Sequence, residues 1–225
     1  MPWPRILLCS ALLMTVSLAS IANAQDSSSS STPKPTKKAA TPVESTLDSG
    51  SIANGVYRNK TIALSCKIPE GWVLRTEEMN AGAENSPEKK DSPDSASSVG
   101  AKVLLAAFSR PPEARAEDVN SSILIAAEPT ASYPGLKDAA QYFGPLTEVA
   151  KAQAFTIDED PYEIAVGTKT LVRGDFHKDV GTRVMHQSTL AMLSHGYAIS
   201  ITIIAGTEDD VEELIDGLTF SSSGK

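Results

Sequence analysis

Cysteine is almost missing from this 225-residue chain, which has only Cys9 and Cys66. Cys9 falls in an N-terminal segment expected to be removed, so the mature chain holds one thiol and no intramolecular disulfide can form. Small exported folds often depend on disulfides; this one must depend on its hydrophobic core, which roughly 150 residues can supply. Positive charge is also in deficit. Twenty Lys and Arg face 28 Asp and Glu, for a formal charge of −8, which becomes −9 if Arg5 leaves with the N-terminal segment. Acidic surfaces repel phosphate backbones, so nucleic acid and anionic lipid are poor partners. Internal repeats are absent, and so are Gly-x-Ser-x-Gly, Walker and dinucleotide glycine patterns, while Ser-x-x-Lys occurs only in the polar low-complexity stretches and the tail, at Ser31, Ser86 and Ser222. Most of the serines lie in low-complexity stretches, where no oxyanion hole can be preorganised.

What is present begins with an export signal. Arg5 precedes an apolar run from Ile6 to Leu18, and Ala22-Asn23-Ala24 is a small-x-small cleavage pattern. The run is short of the ~20 apolar residues that span a bilayer. Residues 1–24 therefore read as a signal peptide cut before Gln25, leaving no stable membrane span and a protein destined for the periplasm or the cell exterior. Cys9, preceded by Leu7 and Leu8, sits too early for lipidation. Asn59-Lys60-Thr61 and Asn120-Ser121-Ser122 match glycosylation acceptors, which matter only in a eukaryotic secretory pathway.

Composition then divides the chain. Residues 25–49 are a Ser/Pro/Lys-rich linker with little to bury, expected to be disordered; its Lys34, Lys37 and Lys38 form the only basic cluster. A single domain is expected over 50–220, interrupted by a disordered polar loop at about 77–100, with a polar tail over 221–225. Within the domain, Thr61 to Ile68 alternates apolar and polar as a half-buried strand does. Pro69-Glu70-Gly71 reads as a turn, and the apolar runs Ala101 to Phe108 and Ile123 to Ala127 as strands covered on both faces. Leu136, Ala140, Phe143, Leu146 and Ala150 recur at helical spacing, with a kink or a break expected at Gly144-Pro145. Three strands follow, about 168–177, 182–193 and 197–205, joined by turns short enough to make them antiparallel. Thr207 then caps an acidic-fronted helix carrying Val211, Leu214, Ile215 and Leu218. The pattern predicts an α+β fold: an antiparallel sheet covered by helices on two sides.

Tyr57-Arg58-Asn59, the turn Ile68-Pro69-Glu70-Gly71-Trp72, the step Gly174-Asp175-Phe176 and Gly196-Tyr197 before the last helix, taken with the element order, resemble the PsbP family. That family comprises extrinsic photosystem II subunits and exported bacterial relatives, and a Ran-binding nuclear import factor shares its fold. The resemblance covers about Gly50 to Phe220 and implies an α/β/α sandwich that serves as a docking module without a common catalytic centre. None of the family's partner-binding residues can be matched here.

His177, His186 and His195 recur every nine residues, which invites a metal site. Nine strand residues span roughly 30 Å. With His177 at one hairpin end and His195 in the opposite turn, the outer two cannot share a metal with His186 at bond lengths near 2 Å. Cys66, in the alternation Ile62, Leu64, Cys66, Ile68, reads as a small buried hydrophobe, and Trp72 and Tyr57 as packing residues. No catalytic, cofactor-binding or metal-ligating residue is identified, and no cofactor is expected. The sequence points to a non-enzymatic interaction or accessory protein whose partner is another envelope or extracellular protein. The alternative is a small-ligand-binding protein or hydrolase whose site assembles from scattered residues.

Overall fold

The computed structural model describes residues 47–84, 101–114 and 118–221. The expected signal peptide, most of the expected linker, residues 85–100, on which most of the expected loop falls, residues 115–117 and residues 222–225 lie outside the described residues.

The first hairpin is built on Asn54-Gly55, both with positive φ (52° and 70°), the pairing that a two-residue turn between right-twisted strands demands. It joins β1 (Ser51–Ala53) to β2 (Val56–Asn59), and β3 (Leu64–Lys67) follows as the next antiparallel neighbour. The fourth strand of this sheet comes from the far end of the domain: β12 (Leu218–Phe220) pairs Leu218 with Cys66 and Phe220 with Leu64. The order is β1-β2-β3-β12.

The larger sheet has eight strands. β4 (Val73–Leu74) pairs β5 (Lys102–Phe108), which pairs β6 (Ser122–Pro129). β6 pairs β11 (Tyr197–Ala205), then come β10 (Arg183–Ser194) and β9 (Lys169–Val180), with β7 (Thr156–Ile157) and β8 (Tyr162–Val166) both against β9. All pairings are antiparallel. The principal core lies between the two sheets. Tyr57, Leu64 and Cys66 from the small sheet meet Leu105, Ile125, Leu190, Ile199 and Ile201 from the large one, all at most 1% exposed.

Among the described residues there are three short α-helices: α1 (Thr76–Glu84), α2 (Ala139–Ala152) and α3 (Glu208–Asp216). Val211, Leu214 and Ile215 of α3 join the intersheet core, beside the small sheet. α2 packs Tyr142 and Phe143 on the opposite face of the large sheet, against Val172, Ala191 and Ala198. This corrects the expected α/β/α sandwich. The fold is mainly antiparallel β, and the layer opposing the large sheet's core face is chiefly a second sheet. That second sheet was hidden because β1 and β12 are three residues each, too short for periodicity to register.

Other differences are local. α1 begins at Thr76 and runs to Glu84, through the first part of the segment read as a disordered polar loop from Glu77, and it is held by side chains: Asn80 bridges the N–H and C=O of Val103 at 2.9 Å each, and the Thr76 hydroxyl accepts from Ala106 N–H at 2.9 Å. α2 runs as one helix through Pro145, with Asp138 at its N-cap accepting from Gln141 N–H at 2.9 Å. Leu218, read as the last seam residue of the final helix, instead starts β12; Thr207 does cap α3, accepting from Asp210 N–H at 3.1 Å.

Candidate functional site

The large sheet and α3 form a polar cleft of about 240 Å³. Side chains alternate along β9, so Arg173, Asp175 and His177 share one face of the strand, and Arg173 and Asp175 line the cleft. Arg173 is nearly buried. Its Nε donates to Asp175 Oδ1 at 2.9 Å, its Nη2 donates to Glu212 Oε1 of α3 at 2.5 Å, and its guanidinium lies 5.9 Å from the Tyr162 ring centre. Tyr162 donates its hydroxyl to Asp175 Oδ2 at 2.9 Å. Burial opposes the Arg173 charge, but the hydrogen bonds to Glu212 and Asp175 outweigh it and raise its pKa. Burial, reinforced by Asp175, pushes the Tyr162 hydroxyl up to about 12. Around neutrality, then, Arg173 is charged, Tyr162 protonated, and Asp175 held by both.

Of the three histidines, His177 is placed differently from the expectation, while His186 is in mid-strand and His195 in the opposite turn as expected. β9 and β10 run past the predicted turn to Val180 and Arg183, so His177 lies inside the hairpin, directly opposite His186. The nine-residue spacing thus joins two of the histidines across strands, while His195 occupies the opposite turn at φ 52°. His177 Nδ1 contacts Asp158, and His186 Nδ1 lies 3.7 Å from Glu208 Oε1. Among the described residues no three His, Cys, Asp or Glu side chains are grouped to hold a metal. Cys66 is fully buried, and burial pushes its thiol up to about 12, so it carries no thiolate at neutral pH. Tyr57 is a core residue whose hydroxyl donates to Ser49 C=O at 3.0 Å.

A second concavity lies at the other margin of the sandwich, where the edge strands β1 and β4 meet. It is a groove of about 570 Å³ with Ile52, Ile68, Trp72 and Leu74 among its walls, and Lys67 and Glu70 as its only charged residues. Ile52 shares the core-facing side of the small sheet with its cross-strand partner Tyr57 but, on the edge strand, is 42% exposed; Leu74 is 44% exposed. Trp72 is half-buried, packing on the core with one part and lining the groove with another. The turn Pro69-Glu70-Gly71, with Gly71 at φ 82°, aims it there. The sequence pointed to this turn and to Trp72; Ile52 could have been found from the Asn54-Gly55 hairpin signal.

No helix among the described residues is long and apolar enough to cross a membrane. No protein-family model matches the chain, and no curated protein matches it. Distantly similar solved structures include the following three. One is LpqN of Mycobacterium tuberculosis, involved in cell envelope biogenesis: 14% identity, 71% of this chain and 83% of that one, TM-score 0.36. Another is PA94 of Pseudomonas aeruginosa, of unknown function: 16% identity, 45% and 68%, TM-score 0.32. The third, from Bacteroides thetaiotaomicron, gives 12% identity, 72% and 47%, TM-score 0.36. Likeness at this level carries no function across. The resemblance to the PsbP family finds no support in these comparisons.

Proposed function

We propose that this chain is an exported accessory protein of the bacterial envelope that acts by binding another protein and catalyses no reaction. The observation that carries the reading is the apolar groove at Trp72, which leaves Ile52 and Leu74 exposed at a margin where both sheets end. Exposed apolar residues gathered in one concavity favour an interaction site over incidental exposure. The export signal in residues 1–24 supports the compartment.

The polar cleft gives the hydrolase alternative little to work with. No Ser, Thr, Cys or Lys lines it, its tyrosine is held protonated, and Asp175 and Glu212 are occupied by Arg173. The ion pairs stitch β9 to α3 and account for these residues as architecture.

Photo-crosslinking separates the two readings. A benzophenone side chain at position 74, in cells exporting the protein, should give one defined product that Trp72→Ala abolishes. The same probe at exposed Val149 on α2 should give none. Purified protein should turn over ester, amide and glycoside substrates no faster than buffer. Turnover that disappears in Asp175→Asn would transfer the function to the cleft and overturn the proposal.

A further inference from the structure

The groove of the preceding section has a backbone component that its side chains do not reveal, and this inference rests on the reading of that groove as a docking surface. Ala53 and Val56 close the two-residue turn as a hydrogen-bonded pair, and such pairs alternate along an antiparallel ladder. Ser51 and Arg58 are therefore bonded to each other, whereas Ile52 and Tyr57 are not. The Ile52 N–H and C=O consequently point away from β2, off the free edge of the small sheet. Neither has a hydrogen-bond partner among the described residues.

The molecule treats its other edge quite differently. Beyond β4, Asn80 and Thr76 of α1 occupy the backbone groups of Val103 and Ala106, so the rim of β5 is capped by side chains. On β1 no proline, charge or bulge blunts the edge, although exposed edges are usually protected in one of these ways. The small sheet also has four strands over a large sheet of eight. A strand added beside β1 would extend the narrower layer and lay its inward side chains over Trp72 and Leu74.

We propose that β1 accepts an extended segment of a partner protein by strand addition, with the backbone of Ile52 as the anchor and apolar side chains at alternate positions filling the groove. Charge complementarity sets the class of the segment. The groove carries one Lys and one Glu in an otherwise acidic protein, so it suits an uncharged apolar strand. The chain's own residues 25–46 do not have that composition: they are mostly Ser, Thr, Pro, Lys and Ala, and Val43 is their one large apolar residue. The occupant comes from another chain.

The test uses the mature protein and a fluorescein-labelled nonapeptide of alternating Val and Thr, read by anisotropy. Saturable binding is expected, at least tenfold weaker when the central peptide amide is N-methylated, which removes a backbone donor without touching the protein. Ile52→Asp should weaken it at least tenfold with the melting temperature nearly unchanged. Ile157→Asp, at an exposed apolar site on β7, should leave it intact. Binding that Trp72→Ala abolishes but N-methylation does not affect would overturn strand addition while sparing the docking reading. Absence of binding together with substrate turnover in the cleft would overturn both. Dimerisation of the protein that Ile52→Asp abolishes would assign the edge to a second copy and overturn the choice of partner. Tighter peptide binding after deletion of 25–44 would do the same in favour of the chain's own segment.

Discussion

Gly174 stands where α2 comes closest to the sheet, and giving it a methyl group tests the packing directly. A Cβ there would lie 2.5 Å from Phe143 Cε1 and 3.1 Å from Cδ1, whereas carbon atoms rest at about 3.5–4.0 Å. Phe143 is 3% exposed and packs with Val172, Ala191 and Ala198, so its ring must retreat by about an ångström into a filled space. Overpacking of this kind costs about 1–3 kcal/mol. Alanine recovers about 0.5–1 kcal/mol of the entropy that glycine loses in a strand. The net expectation for Gly174→Ala is a loss of about 1 kcal/mol, and at most about 2.5. At about 2–4 °C per kcal/mol for a domain of this size, the melting temperature should fall by about 2–4 °C. A double-mutant cycle sharpens the assay: Phe143→Leu removes the ring atoms that clash, so the double variant should be more stable than the two single losses predict, by at least about 0.5 kcal/mol. A Gly174→Ala variant as stable as the parent, or strictly additive losses, would show that α2 does not press on the sheet at this point.

Alkaline pH should unfold the domain early. Burial is the main cause that holds Tyr57, Tyr133 and Tyr162 up to about 12 from 10.0, and Cys66 up to about 12 from 9.0. The unfolded chain releases these protons first, so the stability these groups contribute is full below about pH 9 and is lost as pH rises from about 9 to 12; a urea midpoint that stays level across that range would refute the burial of these groups. Asn59, 1% exposed, donates to Asp48 C=O at 2.7 Å and to the Tyr57 hydroxyl at 3.2 Å, and accepts from Ile62 N–H at 3.2 Å. Asn59→Ala should cost about 1–3 kcal/mol in chemical denaturation, because those partners are left without it. Protein recovered from the export compartment should begin at or near Gln25 by N-terminal sequencing; retained Met1 would refute cleavage.

The meander β9–β10–β11 was readable because its strands are long and their turns carry glycine at 181 and 196. Thr207 and the three acidic residues after it marked α3 just as clearly. The small sheet was only partly readable. β3 alternated visibly, but β12 is defined by its pairing with residues near the start of the domain, and no local pattern encodes a partner so distant. Trp72 was read chiefly as packing, and half of that holds: its ring serves the core and the groove at once. Ion pairs such as Arg173 with Glu212 join residues on separate elements, so the cleft emerges only when α3 is laid on the sheet.

The closing strand β12 has a bearing on how such a chain could cross a membrane. A protein threaded N-terminus first delivers β1, β2 and β3 early, yet their sheet is completed by residues 218–220, among the last of the domain to emerge. Joining segments so far apart carries the full entropy of closing the loop between them. Until that final segment arrives, Cys66 and Leu64 lack their outer neighbour, and the small layer cannot lock against the large one. For an exported chain, transit and folding would thereby be ordered in time: it would stay pliable while passing through the pore and become rigid on the far side, once its end is free to turn back on its beginning.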